Sequence, residues 1–251
     1  MTTKRLLYLG WDVGGWNCDK NPASRDALVI VDQSLGLIGQ PWRGNLRETL
    51  NAATTPRELI NRLLALCQYS AGGNEQLVMA IDTPLAFPQA LLALCQGEAV
   101  AELGSSQDNP YLYRETERWL FARGITPLSP IKDMIGSQAT KGMHLLARFA
   151  PDIIVCGQWQ SHCGVITAVE GYPSPAKRSP HFKALRERCQ LGDWEEALQH
   201  APKPRQQDLQ DAWLCALVAW SLNHAPDNLA WPPAGMPNAE GWIFVPKDAL
   251  H

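Results

Sequence analysis

A chain of 251 residues with 45% apolar and 19% charged residues can bury one large core and is too apolar for wholesale disorder. Its 22 basic and 25 acidic residues leave a net charge of −3, which excludes the strongly basic balance of a protein that coats nucleic acid non-specifically. The longest apolar stretch, 212–221, reaches about half of the ~20 residues that a membrane span needs, and the run at 6–11 is too short for a signal-peptide core. Seven scattered cysteines, an odd number, read as reduced thiols. The expectation is a cytoplasmic protein with no membrane partner; the oligomeric state is not legible.

Residues 6–13 read as a buried strand that ends at Gly14-Gly15. The runs 27–31 and 35–38, separated by Asp32-Gln33-Ser34, read as hairpin-linked strands. Thr55-Pro56-Arg57-Glu58 offers a capping hydroxyl, a proline at the first helical position and a glutamate at the third. Leu59, Ile60, Leu63, Leu64 and Cys67 then recur at helical spacing until Gly72-Gly73. The run 77–82 is too apolar for an exposed strand, and a helix followed by such a strand predicts a parallel partner for the first strand. Helices are expected near 88–94, 114–123 and 141–149, strands at 152–155 and 165–169, and a last long helix over 202–223. Trp242-Ile243-Phe244-Val245 reads as a packed edge segment.

Three of these apolar segments deliver a carboxylate at their end: Asp12, Asp82 and Glu170. A fourth group, Asp208 and Asp211, lies three apart on the last helix and therefore on one of its faces. Each residue has an ordinary explanation of its own. Asp208 and Asp211 suit the start of a helix through its dipole, Asp82 and Asp12 suit turns, and Glu170 before Gly171 suits a solvent-facing position. Their agreement in order and element type is less easily accidental. If the last helix packs beside the first strand, four carboxylates converge. Like charges at about 4 Å in an effective dielectric of about 20 repel by about 4 kcal/mol per pair. Hard cations with oxygen ligands, Mg²⁺ or Mn²⁺, are the natural compensation, and a pair of them is apparatus for phosphodiester hydrolysis.

The order of elements is hairpin strands with Asp12, a helix, a strand with Asp82, and a final helix with Asp208 and Asp211. It resembles the ribonuclease H-like fold, in particular its Holliday-junction resolvase (RuvC-like) branch. More closely, the chain resembles the predicted RNase H-like nucleases known as domain of unknown function 429. The matching pieces are Gly10-Trp11-Asp12-Val13-Gly14-Gly15, Ala80-Ile81-Asp82-Thr83-Pro84-Leu85, Tyr113-Arg114-Glu115-Thr116-Glu117-Arg118, Glu170-Gly171-Tyr172-Pro173, Asp208 with Asp211-Ala212, and Glu240-Gly241-Trp242-Ile243-Phe244-Val245-Pro246. The resemblance implies an α/β domain over 1–251 with a mixed five-stranded sheet flanked by helices and a helical insertion after the fourth strand, about 84–151. The second-strand acid departs from the resolvase pattern: it is Asp82, a methylene shorter than glutamate.

The expected function is a metal-dependent nuclease or phosphodiesterase acting on DNA or RNA. In it Asp12, Asp82, Asp208 and Asp211 bind Mg²⁺ or Mn²⁺, and Glu170 is a further catalytic carboxylate. Arg114 and Lys177 are the candidate substrate contacts. Lys177 belongs to a mildly basic stretch, 174–206, with seven Lys/Arg against four acids, which suits phosphate contact and a solvated face equally. Trp213 and Trp220 read as core, while Trp16, Trp42 and Trp159 are candidates for base stacking. Zinc at Cys156, His162 and Cys163 is disfavoured because adjacent strand residues face apart and no fourth ligand is near. Two alternatives stand beside the nuclease. Asp12-Val13-Gly14-Gly15 also resembles the first phosphate loop of actin-like and sugar-kinase-like ATP phosphotransferases, and a non-catalytic nucleic-acid-binding protein could keep the same fold.

Overall fold

The computed structural model describes residues 4–100 and 102–251. The first apolar run forms β1 (Arg5–Asp12), which pairs antiparallel with β2 (Asp26–Val31); β2 pairs antiparallel with β3 (Trp42–Gly44). Two helices follow, α1 (Arg47–Ala52) and α2 (Pro56–Leu66). Thr55 caps α2 as its sequence predicts, its hydroxyl accepting the Glu58 N–H at 3.1 Å. The chain then returns in β4 (Glu75–Asp82), parallel to β1.

Between β4 and the next strand lie α3 (Gln89–Cys95), α4 (Glu115–Phe121) and α5 (Gly136–Phe149), joined by long irregular connections. A hairpin, β5 (Asp152–Val155) and β6 (Gln158–Gln160), leads into β7 (Ile166–Gly171), which is parallel to β4. Short helices α6 (Pro173–Arg178), α7 (Pro180–Arg188) and α8 (Trp194–Gln199) precede the long α9 (Lys203–His224), and β8 (Ile243–Phe244) pairs parallel with the end of β7. The result is a mixed α/β architecture around an open sheet of order β3-β2-β1-β4-β7-β6-β5, with β8 attached to β7. Among the described residues no helix is long and apolar enough to cross a membrane.

The sheet has eight strands where five were expected. The three additional strands are β5, β6 and β8, of which the sequence reading missed β6, and the third strand is displaced. That strand is Trp42–Gly44, not 35–38. Residues 35–38 make only single bridges, because the chain turns sharply before them and pairs outward afterwards. The Asp32 carboxylate accepts the Ser34 and Gly36 N–H groups, Leu35 sits at φ 64°, and Leu37 donates to the Gln190 carbonyl.

Alternation along the strands sorts the core into two layers. Tyr8, Val29, Val78 and Val169 face α9, while Leu9, Leu28, Met79 and Ala168 face α2 and α5. One glycine governs how closely α9 lies on the sheet. A Cβ on Gly10 would meet the Ala212 carbonyl oxygen at 1.8 Å and the Ala216 nitrogen at 2.3 Å, so the α9 backbone rests directly on β1. Gly10→Ala should therefore destabilise the fold by at least the ~1–3 kcal/mol typical of overpacking, read as a lower urea midpoint with unchanged slope.

Candidate active site

The site forms where β1, β4 and β7 end together. Asp12 and Asp82 are register partners on neighbouring parallel strands, so their side chains leave the same face of the sheet about 4.8 Å apart in backbone spacing. Both are partly buried and border a cavity of about 200 Å³. Neither carboxylate has a hydrogen-bond donor or an ion-pair partner among the described residues. α9 crosses this face, and Asp208 and Asp211 hang from it while Leu209 and Ala212 pack into the sheet.

The electrostatics follow from this crowding. Burial pushes the Asp12 carboxyl well above the ordinary carboxylate range, and Asp82, Asp208, Asp211 and Asp26 push it the same way. Asp82 is raised first by burial and then by Asp211; Lys177 opposes them, and Glu170 adds the smallest upward push. The two aspartates on α9 already have cations. Arg43 Nε lies 2.7 Å from Asp208, which also accepts the Arg25 N–H at 3.1 Å, and Lys177 Nζ lies 2.6 Å from Asp211. Burial still raises Asp211, with Lys177 opposing. With two of four carboxylates held this way, no three His, Cys, Asp or Glu side chains among the described residues form a ready-made metal cage.

Glu170 reaches the same cavity from elsewhere. It pairs in register with Ile81, one residue short of Asp82, and so leaves the opposite face of the sheet. There it is clamped by Arg114. Nη1 donates to Glu170 at 2.8 Å and to the Glu240 carbonyl at 3.1 Å, Nη2 donates to Glu170 at 2.7 Å and to Glu117 at 2.6 Å, and Nε donates to Glu117 at 2.9 Å. All five N–H donors of this fully buried guanidinium are thus spent on the protein itself. Arg114 does reach the site, as a partner of carboxylates. The Glu240 carboxylate in turn accepts the Gln89 and Glu115 N–H groups at 2.8 and 2.7 Å, and the Thr116 hydroxyl accepts the Ile243 N–H at 3.0 Å. Asp12, Asp82, Glu170 and Ile243, distant in sequence, line this one strand-end cavity, with Arg114 and Glu240 behind Glu170.

A second buried ion pair escaped the sequence reading. Asp26 and Lys141 are both fully buried and paired; Asp26 also accepts the Trp11 indole N–H at 3.0 Å and the backbone N–H of Gly14 at 2.9 Å and Leu46 at 2.6 Å. Lys141 additionally donates to the Gly14 and Gly15 carbonyls at 3.3 and 3.4 Å and to Asn45 at 3.1 Å. Together they fix the loop that follows Asp12. The signal was present: an acid opening the apolar run Asp26-Ala27-Leu28-Val29-Ile30-Val31, and a lysine on the apolar side of α5. Of the stacking candidates, Trp159 is buried, Trp16 packs edge-on against His144, and Trp42, the first residue of β3, is partly exposed. Compared with known proteins, the chain matches no family model, no curated protein and no solved structure.

Two outcomes follow from these charges. Lys141→Met strands a buried Asp26 charge and should cost about 3–5 kcal/mol in urea, with part of the loss recovered in the double variant that also carries Asp26→Asn. Asp12 has its folded pKa raised above the unfolded value near 3.9, so its contribution to stability falls as pH rises from about 4 through the raised value. Asp12→Asn in chelator should therefore raise the Tm most at pH 8, and this gain should shrink towards zero near pH 4.

Proposed function

We propose that the chain is a metal-dependent nuclease or phosphodiesterase built on an RNase H-like frame. The observation that carries this reading is the uncompensated pair, Asp12 and Asp82, side by side at the ends of parallel strands and bordering a cavity. Every neighbouring carboxylate has its own cation: Asp26 has Lys141, Glu170 has Arg114, Asp208 has Arg43 and Asp211 has Lys177. The placement of Asp12 on β1, Asp82 on β4 and the Asp208/Asp211 face of α9 above them supports that reading.

The donor set suits a hard divalent cation, Mg²⁺ or Mn²⁺, because every available ligand atom is oxygen. The Thr83 hydroxyl, buried in the cavity wall with no partner among the described residues, is a further polar atom that a ligand or its water would satisfy. Asp12 and Asp82 would hold the ion, with Asp211 and Asp208 supplying oxygens from α9. When bound, the ion supplies Lewis-acid polarisation of a phosphate oxygen and acidification of water. The chain's own groups do the remaining work. Lys177, with 35% of its side chain exposed, is the cation placed to meet a substrate phosphate. Arg114 holds Glu170, and Glu170 accepts the Leu85 N–H at 2.9 Å, so the two fix the segment after Asp82 that forms one cavity wall. These groups position the wall and do not touch the substrate.

The test is a panel of single-stranded DNA, duplex DNA, branched DNA, RNA and RNA–DNA hybrid with Mn²⁺, beside an ATP-hydrolysis assay. Cleavage of at least one nucleic acid is expected, with Asp12→Asn and Asp82→Asn each lowering it by at least about a hundredfold, the ~2.7 kcal/mol scale of one lost electrostatic contact in the transition state. Mn²⁺ at a hundred times its Kd should add about 2.7 kcal/mol to the wild-type fold and much less to Asp12→Asn. Cleavage that survives both substitutions, or ATP turnover lost on Asp12→Asn with no nucleic acid cut, removes the assignment.

A further inference from the structure

Beside the carboxylate cavity, along the free edge of β3, runs a groove of about 320 Å³ lined by Arg25, Trp42, Arg43 and Arg205, with Gln40 and Gln68. No acidic residue lines it. β3 ends the sheet, so its outer edge is open; residues 42 and 43 leave opposite faces of the strand, and the groove wraps the edge between them. Trp42 comes from the face it shares with Leu28, its ring lying over Gly44, where a Cβ would meet it at 2.3 Å. Arg43 and Arg205 come from the α9 side. Arg205 is exposed and makes no hydrogen bond or ion pair among the described residues.

The groove and the cavity adjoin. Ser24 lines the cavity and the next residue, Arg25, lines the groove. Asp208 stands between the two, accepting the Arg25 N–H and the Arg43 guanidinium. We propose that this groove is a binding track for single-stranded nucleic acid, with Arg205 and Arg25 meeting phosphates and the Trp42 ring meeting a base, leading towards the carboxylate cavity, while Arg43 stays bonded to Asp208 and the Pro22 carbonyl. Arginine offers donors in a fixed fork that suits phosphate, and an indole face stacks on any base, so the track reads backbone and not sequence. One strand is favoured over two because a base must be unstacked and unpaired to lie on the Trp42 ring. The destination of the strand rests on the nuclease reading; its binding does not.

The experiment measures anisotropy of labelled oligo(dT), oligo(U) and a duplex of matched length, in EDTA so that no metal chemistry enters. Single strands should bind more tightly than the duplex. Two phosphate contacts predict a roughly sevenfold loss of single-strand affinity between about 50 and 200 mM salt. Arg205→Glu should weaken binding about tenfold and flatten that loss to about two- to threefold, the mark of one contact removed. Gln40→Glu, isosteric and exposed, should weaken binding in the same direction with an unchanged Tm, and Asp12→Asn should bind no worse than wild type. Absence of single-strand binding at low salt overturns the track, as does equal affinity for Arg205→Glu, or an equally tight, equally Arg205-dependent hold on heparin. Nucleic-acid cleavage unaffected by Arg205→Glu would sink the track and leave the carboxylate site standing. Arg205-dependent binding with no cleavage would do the reverse.

Discussion

Carboxylates gathered at the ends of buried strands must be matched by positive charge, by N–H donors, or by protons, and this constraint organises the whole end of the molecule. Transferring a lone carboxylate out of water costs several kcal/mol even after relaxation, so each one shapes the chain around it. Asp26 recruits Lys141 from α5, Glu170 recruits Arg114 from the start of α4, Asp208 recruits Arg43 from β3, and Asp211 recruits Lys177 from α6. Each pairing ties an element far away in sequence to the sheet. The irregular region between β4 and β5 is held in place largely in this way, since α4 carries Arg114 and Glu117 and both α3 and α4 begin on the Glu240 carboxylate.

What makes Asp12 and Asp82 different is geometry set by α9 and by the register of β1 with β4. The bare Cα of Gly10 lets α9 settle on β1, so its backbone fills the space that another side chain would need. The parallel register then places Asp12 and Asp82 level with each other, on the face α9 covers, at the mouth of the cavity. Lys177, the cation whose charge acts on Asp82, is bonded to Asp211 and to neither member of the pair. Removing a proton from either member of the pair therefore creates charge that the protein itself leaves uncompensated. A stable fold tolerates this only as a local cost, and such costs concentrate where a ligand relieves them.

The legibility of the chain follows the same division. β1, β4, the capped α2 and α9 were readable because their apolar periodicity is strong and their ends carry explicit signals, such as Thr55-Pro56 before α2. The five strand-end and helix carboxylates were readable because an acid in an apolar run is conspicuous. The faces were not: Glu170 looks equivalent to Asp82 in sequence, yet a one-residue offset in register turns it to the other side of the sheet. The helices α6 to α8 escaped notice although Ser179-Pro180 is a cap signal, with the Ser179 hydroxyl accepting the Phe182 N–H at 3.1 Å. The pairing of the compensating cations was not legible for a physical reason. Lys141, Arg43 and Arg114 are matched to their carboxylates by tertiary contact, and nothing local shows which acid a given lysine or arginine meets.

The same contacts separate the competing readings of the loop after Asp12. A phosphate loop works by presenting backbone N–H groups to an anion. Here the Gly14 N–H is turned inward to the Asp26 carboxylate, and the Gly14 and Gly15 carbonyls are turned to the Lys141 ammonium. A Cβ on Gly14 would meet the Asp26 nitrogen at 2.7 Å and Cys18 Cβ at 2.8 Å, so this glycine serves close packing against β2. These three loop groups are thereby spent on the Asp26–Lys141 pair, and the Gly14 N–H is not free to meet a phosphate. The kinase-like alternative shares the letters Asp12-Val13-Gly14-Gly15 but not this disposition of donors, which favours a cation at the carboxylates over an anion at the loop.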